Sequence, residues 1–332
     1  MKNLKKIWVV MLTLLVVYSC SDDDTPPQED AKTIYDIVSA EADLSLFVAA
    51  VDKVGMDAEL KDLNQTESID YTVFVPDDTA FTQFLNDNNY ADINAVPNNV
   101  LESLLRNHLI ESEVITSTTL LGQNSGYLTT GAQEASTGNN IYMFFYNDNG
   151  VLMLNGEAEV TLANTPASNG MIHRVVRVIG IPSVRTFFMA DPALSRFGEA
   201  VFIIDESNGD TSYSDGYADF EGNAPYTLLA PNNVAFDELM INLGINSLTD
   251  VPPSDLQNIL DLHLITGVNA LSSDLTDGMV IPTENGNVVA NVDGPAISFT
   301  NPDSGETVNV VQADIQAGNG VIHILDRVLL PL

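Results

Sequence analysis

Few side chains in this sequence are of the types that carry out chemistry. It contains one cysteine, Cys20, and four histidines, which are its candidate nucleophile, bases and metal ligands: His108, His173, His263 and His323. A single cysteine excludes a disulfide framework within the chain and any four-thiolate zinc site. No Gly-x-Ser-x-Gly elbow, His-Glu-x-x-His motif or glycine-rich phosphate loop occurs. The sequence therefore predicts no enzyme activity, no catalytic residue, no metal ligand and no cofactor.

Cys20 stands at the end of a targeting segment. Residues 1–6 carry three lysines, and residues 7–17 form an apolar run broken only by Thr13. This run is too short to span a bilayer, so residues 1–19 are predicted to be a signal peptide. The sequence Val-Tyr-Ser-Cys at its end resembles a bacterial lipobox, in which Cys20 becomes the lipidated N-terminus and membrane anchor. A plain secretory signal with an incidental cysteine is the alternative.

An acidic run, Ser21-Asp22-Asp23-Asp24, follows the cysteine. It resembles the export tag of Bacteroidetes-type lipoproteins that reach the outer face of the outer membrane, and a solvated linker is the alternative. Residues 20–32 are expected to form an extended tether. We therefore expect a lipid-anchored protein of the outer membrane, exposed on the cell surface.

The charge balance excludes one class of partner. The 332 residues include 46 acidic and 12 basic side chains, for a net charge of −34. Such a surface repels a phosphate backbone, so nucleic-acid binding is excluded. With 45% hydrophobic residues the chain has the composition of a globular protein, and its length suits two domains.

The body of the chain consists of one unit repeated twice. Residues 71–81 recur as residues 226–236 with five of eleven positions identical, and residues 169–178 recur as residues 319–328 with six of ten identical. The four histidines pair across the same two offsets, about 155 and 150 residues. This period is too long for a solenoid. The sequence therefore predicts two domains, residues 33–180 and 181–332.

Each copy mixes helices and strands. The apolar spacing from Leu44 to Val54 is helical, with Asp43 placed to cap its start and Gly55 its end. Tyr71 to Val75 has the composition of a buried strand closed by Pro76. Asp77 and its counterpart Asn232 are good N-caps for the helices that follow. Further strands are predicted at residues 141–146, 151–154, 160–163 and 171–179. Helices followed by an antiparallel strand set indicate an α+β fold.

The histidines fall on apolar faces of these elements. His108 follows three leucines at helical spacing, Leu101, Leu104 and Leu105, and His263 repeats the pattern. We expect both to be neutral core residues hydrogen-bonded to backbone or a carboxylate. His173 and His323 lie in alternating strands, where a half-buried, hydrogen-bonded histidine is expected.

The repeated blocks resemble the two signature motifs of the fasciclin domain, and the resemblance covers residues 33–332. The motif residues, which we expect to be structural, are the four histidines with Pro76, Pro231, Asn169, Gly170, Asn319 and Gly320. The resemblance implies a β-wedge of about seven strands with flanking helices, found in secreted or anchored adhesion proteins. Between its signatures the family carries a Tyr-His pair tied to integrin-mediated adhesion. The matching pairs here are Asn107-His108 and Leu262-His263, so the tyrosine is absent from both copies.

Two functions follow from these expectations. The first is a lipid-anchored adhesion protein whose partner is a cell-surface or matrix protein or a glycan, and two linked modules would raise its avidity. The alternative is a glycan- or polymer-binding lipoprotein of a nutrient-uptake system, which needs an exposed aromatic platform. The candidates for that platform are Tyr142, Phe144, Tyr146, Tyr213 and Tyr217.

Two acidic stretches could offer oxygens to a hard cation. They are the predicted loop Asp205–Asp210 and the insertion Asp215–Glu221. Neither has the Asp-x-Asp-x-Asp-Gly spacing of a specific Ca²⁺ loop. Solvated loops are therefore expected there, with loose Ca²⁺ binding as the alternative.

Overall fold

The computed structural model of the protein describes residues 32–61, 70–111, 113–220 and 224–331. From Lys32 onward the chain forms one unit, in which the same succession of elements occurs twice. The helices of the first domain are α1 (Ile34–Ala40), α2 (Ser45–Val54), α3 (Asp57–Lys61), α4 (Asp78–Asp87), α5 (Asn98–Asn107) and α6 (Ser117–Gln123). Its strands are β1 (Tyr71–Pro76), β2 (Leu109–Glu111), β3 (Ser125–Gln133), β4 (Asn140–Asp148), β5 (Val151–Leu154), β6 (Ala158–Ala167) and β7 (Gly170–Val175).

The second domain repeats this plan with a longer second helix. Its helices are α7 (Val184–Ala190), α8 (Ser195–Asn208), α9 (Ser212–Gly216), α10 (Asn233–Leu243) and α11 (Pro253–Leu262). Its strands are β8 (Tyr226–Pro231), β9 (Leu264–Thr266), β10 (Met279–Thr283), β11 (Gly286–Asp293), β12 (Ala296–Thr300), β13 (Thr307–Ala317) and β14 (Gly320–Leu325).

The described strands form two seven-stranded sheets of identical order. The order is β2-β1-β7-β6-β5-β4-β3 in the first domain and β9-β8-β14-β13-β12-β11-β10 in the second. All neighbours are antiparallel except β1 with β7 and β8 with β14, which are parallel. A parallel pair needs a long crossover, and here the crossover is the rest of the domain. The predicted α+β class is confirmed.

The strands β1 and β8, each second from the edge of its sheet, have sequences suited to a buried position. All six residues of β1 and of β8 are buried, as expected of β-branched and aromatic residues flanked by strands on both sides. Pro76 and Pro231 end these strands, and the side chains of Asp77 and Asn232 then cap α4 and α10 by accepting from backbone N–H groups at 2.8 and 2.9 Å. The strand predicted at Tyr71 to Val75 and both of these caps are confirmed, whereas the strand predicted at residues 171–179 ends at Val175.

The cap predicted for α2 is wrong. Asp43 lies within a short 3₁₀ turn, residues 42–44, and its carboxylate pairs with Arg174. The backbone N–H of Leu46 instead donates to the carboxylate of Asp78, at the start of α4, over 2.7 Å. A cap supplied by a residue distant in sequence leaves no local pattern to detect. Gly55 does end α2 in a left-handed conformation, as predicted.

Each sheet buries apolar side chains on both faces. On one face of β1, Val73 and Val75 pack with residues of α1, α2 and α5. On the other face Phe74 packs with Met143 and Phe145 of β4, so the sheet folds over onto itself and encloses a second core. The second domain repeats this alternation with Leu228 and Leu229 of β8.

The two domains meet through packed aromatic side chains. Phe144 of β4 belongs to the core cluster of the second domain. The ring of Tyr127 lies 5.0 Å from that of Phe144 and 5.5 Å from that of Phe187 on α7, measured between centroids. Its hydroxyl donates to the buried carboxylate of Asp191 over 2.8 Å. The domains are therefore joined by a core and a buried hydrogen bond as well as by the chain between them.

Candidate functional site

His108 and His263 occupy equivalent places at the ends of α5 and α11. Each is buried, and its Nδ1 lies 2.8 or 2.7 Å from the helix carbonyl four residues earlier. The Nε2 of His108 accepts from the N–H of Ile179, and that of His263 from the N–H of Leu329. Since a carbonyl can only accept and an N–H can only donate, Nδ1 carries the proton and each ring is neutral.

His173 and His323 occupy equivalent places in the closing strands β7 and β14. Their Nε2 atoms donate to the carbonyls of Ile115 and Ala270, each at 2.9 Å. Their Nδ1 atoms accept from the backbone N–H groups of Asn164 and Asp314. Both rings are fully buried rather than half-buried as predicted, because the sheet folds over the face on which they lie.

Burial fixes the protonation state of these rings. Desolvation lowers the pKa of His108 and of His263 to about 4, although each helix carbonyl acts in the opposite direction. It also lowers the pKa of His173 and of His323. At neutral pH all four imidazoles have both ring nitrogens engaged with the backbone, which leaves neither nitrogen to bind a metal or move a substrate proton.

The motif asparagines fasten the first helix of each domain to the closing strand. Asn169 accepts from the N–H of Ile34 at 2.8 Å and donates to the carbonyl of Leu60 at 3.0 Å. Asn319 accepts from the N–H of Val184 at 2.8 Å and donates to two carbonyls that follow α9. Both are buried, so each amide replaces backbone partners that the helix terminus lacks.

The motif glycines allow two strands to approach. A Cβ atom on Gly170 would lie 2.0 Å from the carbonyl oxygen of Tyr71, and one on Gly320 would lie 2.3 Å from that of Tyr226. No side chain can occupy that space. These glycines therefore permit the parallel pairs β1/β7 and β8/β14 to begin in register.

Asn107 lies where the family's tyrosine would be, and its role is internal. Its side chain is buried and donates to the carbonyls of Ile179 and Gly180 at 3.1 and 3.0 Å. Leu262, the equivalent residue in the second copy, is buried as well. Neither position presents a side chain to a partner.

The sequence analysis did not identify a repeated threonine clamp. The hydroxyl of Thr72 donates to the carbonyl of Glu113 and accepts from the N–H of Ile115. Thr227 does the same with Val268 and Ala270. A threonine at the second position of both copies of the buried strand was the available signal.

The acidic stretches considered for Ca²⁺ are only in part the loops that were expected. Asp205 to Asn208 form the last turn of α8, and the buried carboxylate of Asp205 accepts from the N–H of Ser214 at 3.1 Å. Asp215 and Gly216 belong to α9. Within the described ranges, no group of three or more acidic, histidine or cysteine side chains could hold a metal ion.

The aromatic residues considered as a sugar platform pack into or against a core. Phe144 and Tyr217 are buried, and Tyr142 and Tyr146 pack beside Phe144 at the domain junction. Tyr213 donates to Asp261 over 2.9 Å and accepts from Tyr217 over 3.2 Å. Phe144 and Tyr217 are core, and Tyr142, Tyr146 and Tyr213 are half-buried against it, so these rings pack internally and do not form one exposed surface.

Cys20 and the predicted signal peptide lie outside the described residues. In the part of the chain that the structure describes, no helix combines the length and apolar character needed to cross a bilayer. The anchor therefore stays a prediction.

Comparison with known families decides the identity of the repeated unit. The sequence profile of the fasciclin domain matches residues 42–182 and again residues 211–331. These ranges make up most of the chain. The protein belongs to the fasciclin-domain family. The Asn-Gly-x-Ile-His block and the strand-Pro-cap-helix block, whose contacts are described above, fall within both matched ranges.

Several fasciclin-domain proteins are similar in sequence. Human periostin is 30% identical over 276 residues, which cover 79% of this chain and 28% of periostin. Fasciclin-1 of Drosophila melanogaster is 30% identical over 188 residues, which cover 52% of this chain and 27% of that protein. The chain thus spans about a quarter of the length of either relative.

A solved structure also resembles the two-domain unit. It is a FAS1 domain pair from the insect cell adhesion molecule fasciclin I, with a TM-score of 0.49 and 16% sequence identity, and the match covers 90% of this chain and 96% of that one.

Proposed function

We propose that this fasciclin-domain protein is a non-enzymatic adhesion protein, held on the cell surface by a lipidated Cys20. The observation that carries the proposal is the tandem fasciclin unit itself, because fasciclin-1 is among its sequence relatives and insect fasciclin I is a cell adhesion molecule. The partner is a cell-surface or matrix protein or a glycan. The outer membrane is the proposed location.

The internal chemistry of the domains supports a binding role. All four histidines are buried and committed to backbone hydrogen bonds, and catalysis needs a titratable group that reaches substrate. We therefore expect the described domains to interact with other molecules through their exposed surfaces. Two such surfaces on one tether raise avidity without a change at either contact.

Attachment through Cys20 can be tested by itself. Two acyl chains anchor a protein stably, whereas one gives marginal binding. Cys20→Ser is expected to move the protein from the membrane to the soluble fraction and to abolish incorporation of a labelled fatty acid. Membrane retention of the variant, or an unlabelled wild type, would contradict the anchor.

Adhesion is tested with the chain from Ser21 onward, which contains the whole described unit. Immobilised matrix proteins, whole cells and polysaccharides are offered, with a protein of similar charge and size as control. Saturable binding to at least one surface is expected. Binding no greater than that of the acidic control on every surface would overturn the proposal.

A further inference from the structure

A groove on the second domain continues into the junction with the first. Its apolar stretch has a volume of about 490 Å³ and follows α7 and α8, with Met189, Val201 and Phe202 in its wall. Its polar stretch has a volume of about 380 Å³ and lies between α7 and the turn that contains Asn155. Arg185 and Met189 line both stretches. One end is thus apolar, the other is polar, and an arginine lies where they meet.

Two buried donors in this groove have no acceptor. The Nδ2 of Asn155 and the Nε of Arg185 are shielded from solvent and unpaired, and Thr283 carries the third such atom in the described chain. Asn155 is 8% exposed, and its Oδ1 is already used by the N–H of Phe144. An unpaired buried donor costs about 1–3 kcal/mol. Asn155 and Arg185 both line the polar stretch, so an oxyanion bound there that draws either donor toward it recovers that cost.

The first domain shows that the fold does not require this groove. At the positions 150 residues earlier, Tyr35 takes the place of Arg185, Val48 that of Gly198 and Asp52 that of Phe202. The hydroxyl of Tyr35 donates to Asp52 over 2.8 Å, and the Nζ of Lys61 lies 3.9 Å from the centre of its ring. In the second domain the arginine has no ion pair among the described residues, and Phe202 and Met189 are 59% and 62% exposed.

The charges around the groove restrict its ligand. Glu157 borders the polar stretch, and Asp205, Glu206 and Asp210 border the apolar one. These carboxylates repel a polyanion, whereas one negative charge can pair with Arg185. We propose that the groove binds a medium-chain aliphatic monocarboxylate. Its carboxylate lies at Arg185 and Asn155, and its chain follows Met189, Val201 and Phe202. This site is independent of the adhesion proposed above.

The test uses the chain from Ser21 onward and decanoate below its micelle concentration, titrated in a calorimeter. Decan-1-ol supplies the same chain without the charge, and acetate supplies the charge without the chain. Decanoate is expected to bind at least tenfold more tightly than decan-1-ol, and acetate is expected not to saturate the protein. Equal binding of decanoate and decan-1-ol, or no binding of decanoate, would overturn the proposal.

Variants of the groove residues test whether decanoate binds in the groove. Arg185→Tyr with Phe202→Asp installs the residues of the first domain and is expected to weaken decanoate binding at least tenfold. Arg177→Tyr is the matched control, because Arg177 is exposed and lies outside the groove. Unchanged binding by the double variant, or an equal loss in the control, contradicts the site.

A second variant covers the case in which the double variant unfolds. Gly198→Val installs the residue found at Val48, and a Cβ at position 198 would meet the carbonyl of Phe188 at 3.4 Å, an ordinary contact. The valine adds side-chain volume beside Met189 in the wall of the apolar stretch. At least a tenfold loss of decanoate binding is expected with the melting temperature retained, and full binding by this folded variant would refute the assignment.

Discussion

At the scale of single residues, the four imidazoles of this protein act as backbone connectors. Each ring joins two segments by donating from one nitrogen and accepting at the other. The second-domain rings do the same at His263 and His323. A connector of this kind works only while neutral, because a second proton turns the accepting nitrogen into a donor that faces another N–H.

The loss of one ring should be costly. His263→Ala removes the acceptor of the Leu329 N–H, leaves the carbonyl of Ile259 without its ring donor, and opens a cavity in the core. We expect the free energy of unfolding to fall by about 3–5 kcal/mol, measured by urea denaturation. The exposed Arg177→Ala is the control and should change it by less than about 0.5 kcal/mol. A loss below about 1 kcal/mol for His263→Ala would contradict the connector role.

The same rings should make stability depend on pH. An unfolded histidine takes up a proton near pH 6.5, whereas burial lowers the folded pKa of His108 and His263 to about 4. Between these values the unfolded state binds more protons, so the free energy of unfolding falls as the pH falls from about 6.5 to about 4. The slope approaches about 1.4 kcal/mol per pH unit for each histidine. Urea denaturation across this range measures the slope.

Nuclear magnetic resonance can check independently that the histidines cause this pH dependence of stability. The imidazole resonances of His108 and His263 in the folded protein should stay in the neutral form from pH 7.5 to 5. The pKa values of His173 and His323 are lowered as well, so these rings should also stay neutral to a lower pH than a free histidine does. Folded-state titration midpoints near 6.5 would show that the pH dependence has another source.

At this scale the sequence predicted half of the site. The helical stripe before His108 predicted a buried, neutral ring with a backbone partner, and that is what the contacts show. The second partner could not be predicted, because the N–H groups of Ile179 and Leu329 lie 71 and 66 residues further along the chain. Contacts between residues so far apart in the sequence depend on the fold, and local residue spacing does not reveal them.

At the scale of elements, the parallel strand pair, which we call the joint, connects the early and the late part of each domain. The pair β8/β14 starts where Gly320 lies opposite Tyr226. The sequence predicted both strands, but their pairing follows from the crossover that separates them and from no local signal. The same limit explains α2, whose start is capped by Asp78, a residue more than thirty positions away.

A methyl group at the joint should disrupt the pair. Gly320→Ala places its Cβ 2.3 Å from the carbonyl oxygen of Tyr226, so the strands must separate. We expect the free energy of unfolding to fall by about 3 kcal/mol or more. Gly122→Ala is the matched control, because a Cβ there meets nothing within 4 Å and alanine favours helix α6. Urea denaturation of both variants decides, and equal stabilities would show that the joint tolerates the methyl group.

At the scale of the whole molecule, the domain junction is the feature that the sequence analysis misjudged. Tyr142, Phe144 and Tyr146 were considered as a sugar platform, but they pack at the junction. Alternating aromatic residues on a strand have the same pattern whether they face a sugar or another domain. Only the position of α7 distinguishes the two.

The buried hydrogen bond at the junction should couple the domains. Burial raises the pKa of Asp191, and the Tyr127 hydroxyl acts against that rise. Tyr127→Phe removes this donor and keeps the ring, so we expect a loss of about 1–3 kcal/mol and a separation of one calorimetric transition into two. Tyr142→Phe, at the same junction, removes a hydroxyl that has no hydrogen bond among the described residues and should leave the single transition intact. One unchanged transition in Tyr127→Phe would show that packing alone couples the domains.

The overall charge should govern approach to a surface. Without residues 1–19 the chain has nine basic and 46 acidic residues, a net charge of about −37. At about 0.15 M salt that field reaches only about 8 Å. Binding to an anionic cell surface or acidic glycan should therefore strengthen from low to physiological salt, measured as bound protein across a salt series. Binding that falls steadily with salt would indicate a basic partner instead.

The link between the first helix and the closing strand determines how the molecule bears load. The carbonyl of Lys32 accepts from the N–H of Ser168 at 2.8 Å, and the next bond joins Ile34 to Asn169. A pull applied at Lys32 therefore reaches the chain just before β7, which has β1 on one side and β6 on the other. Tension that enters between two partner strands is shared by many hydrogen bonds at once, whereas an edge strand peels away one bond at a time. The first domain is thus built to resist a pull applied at Lys32.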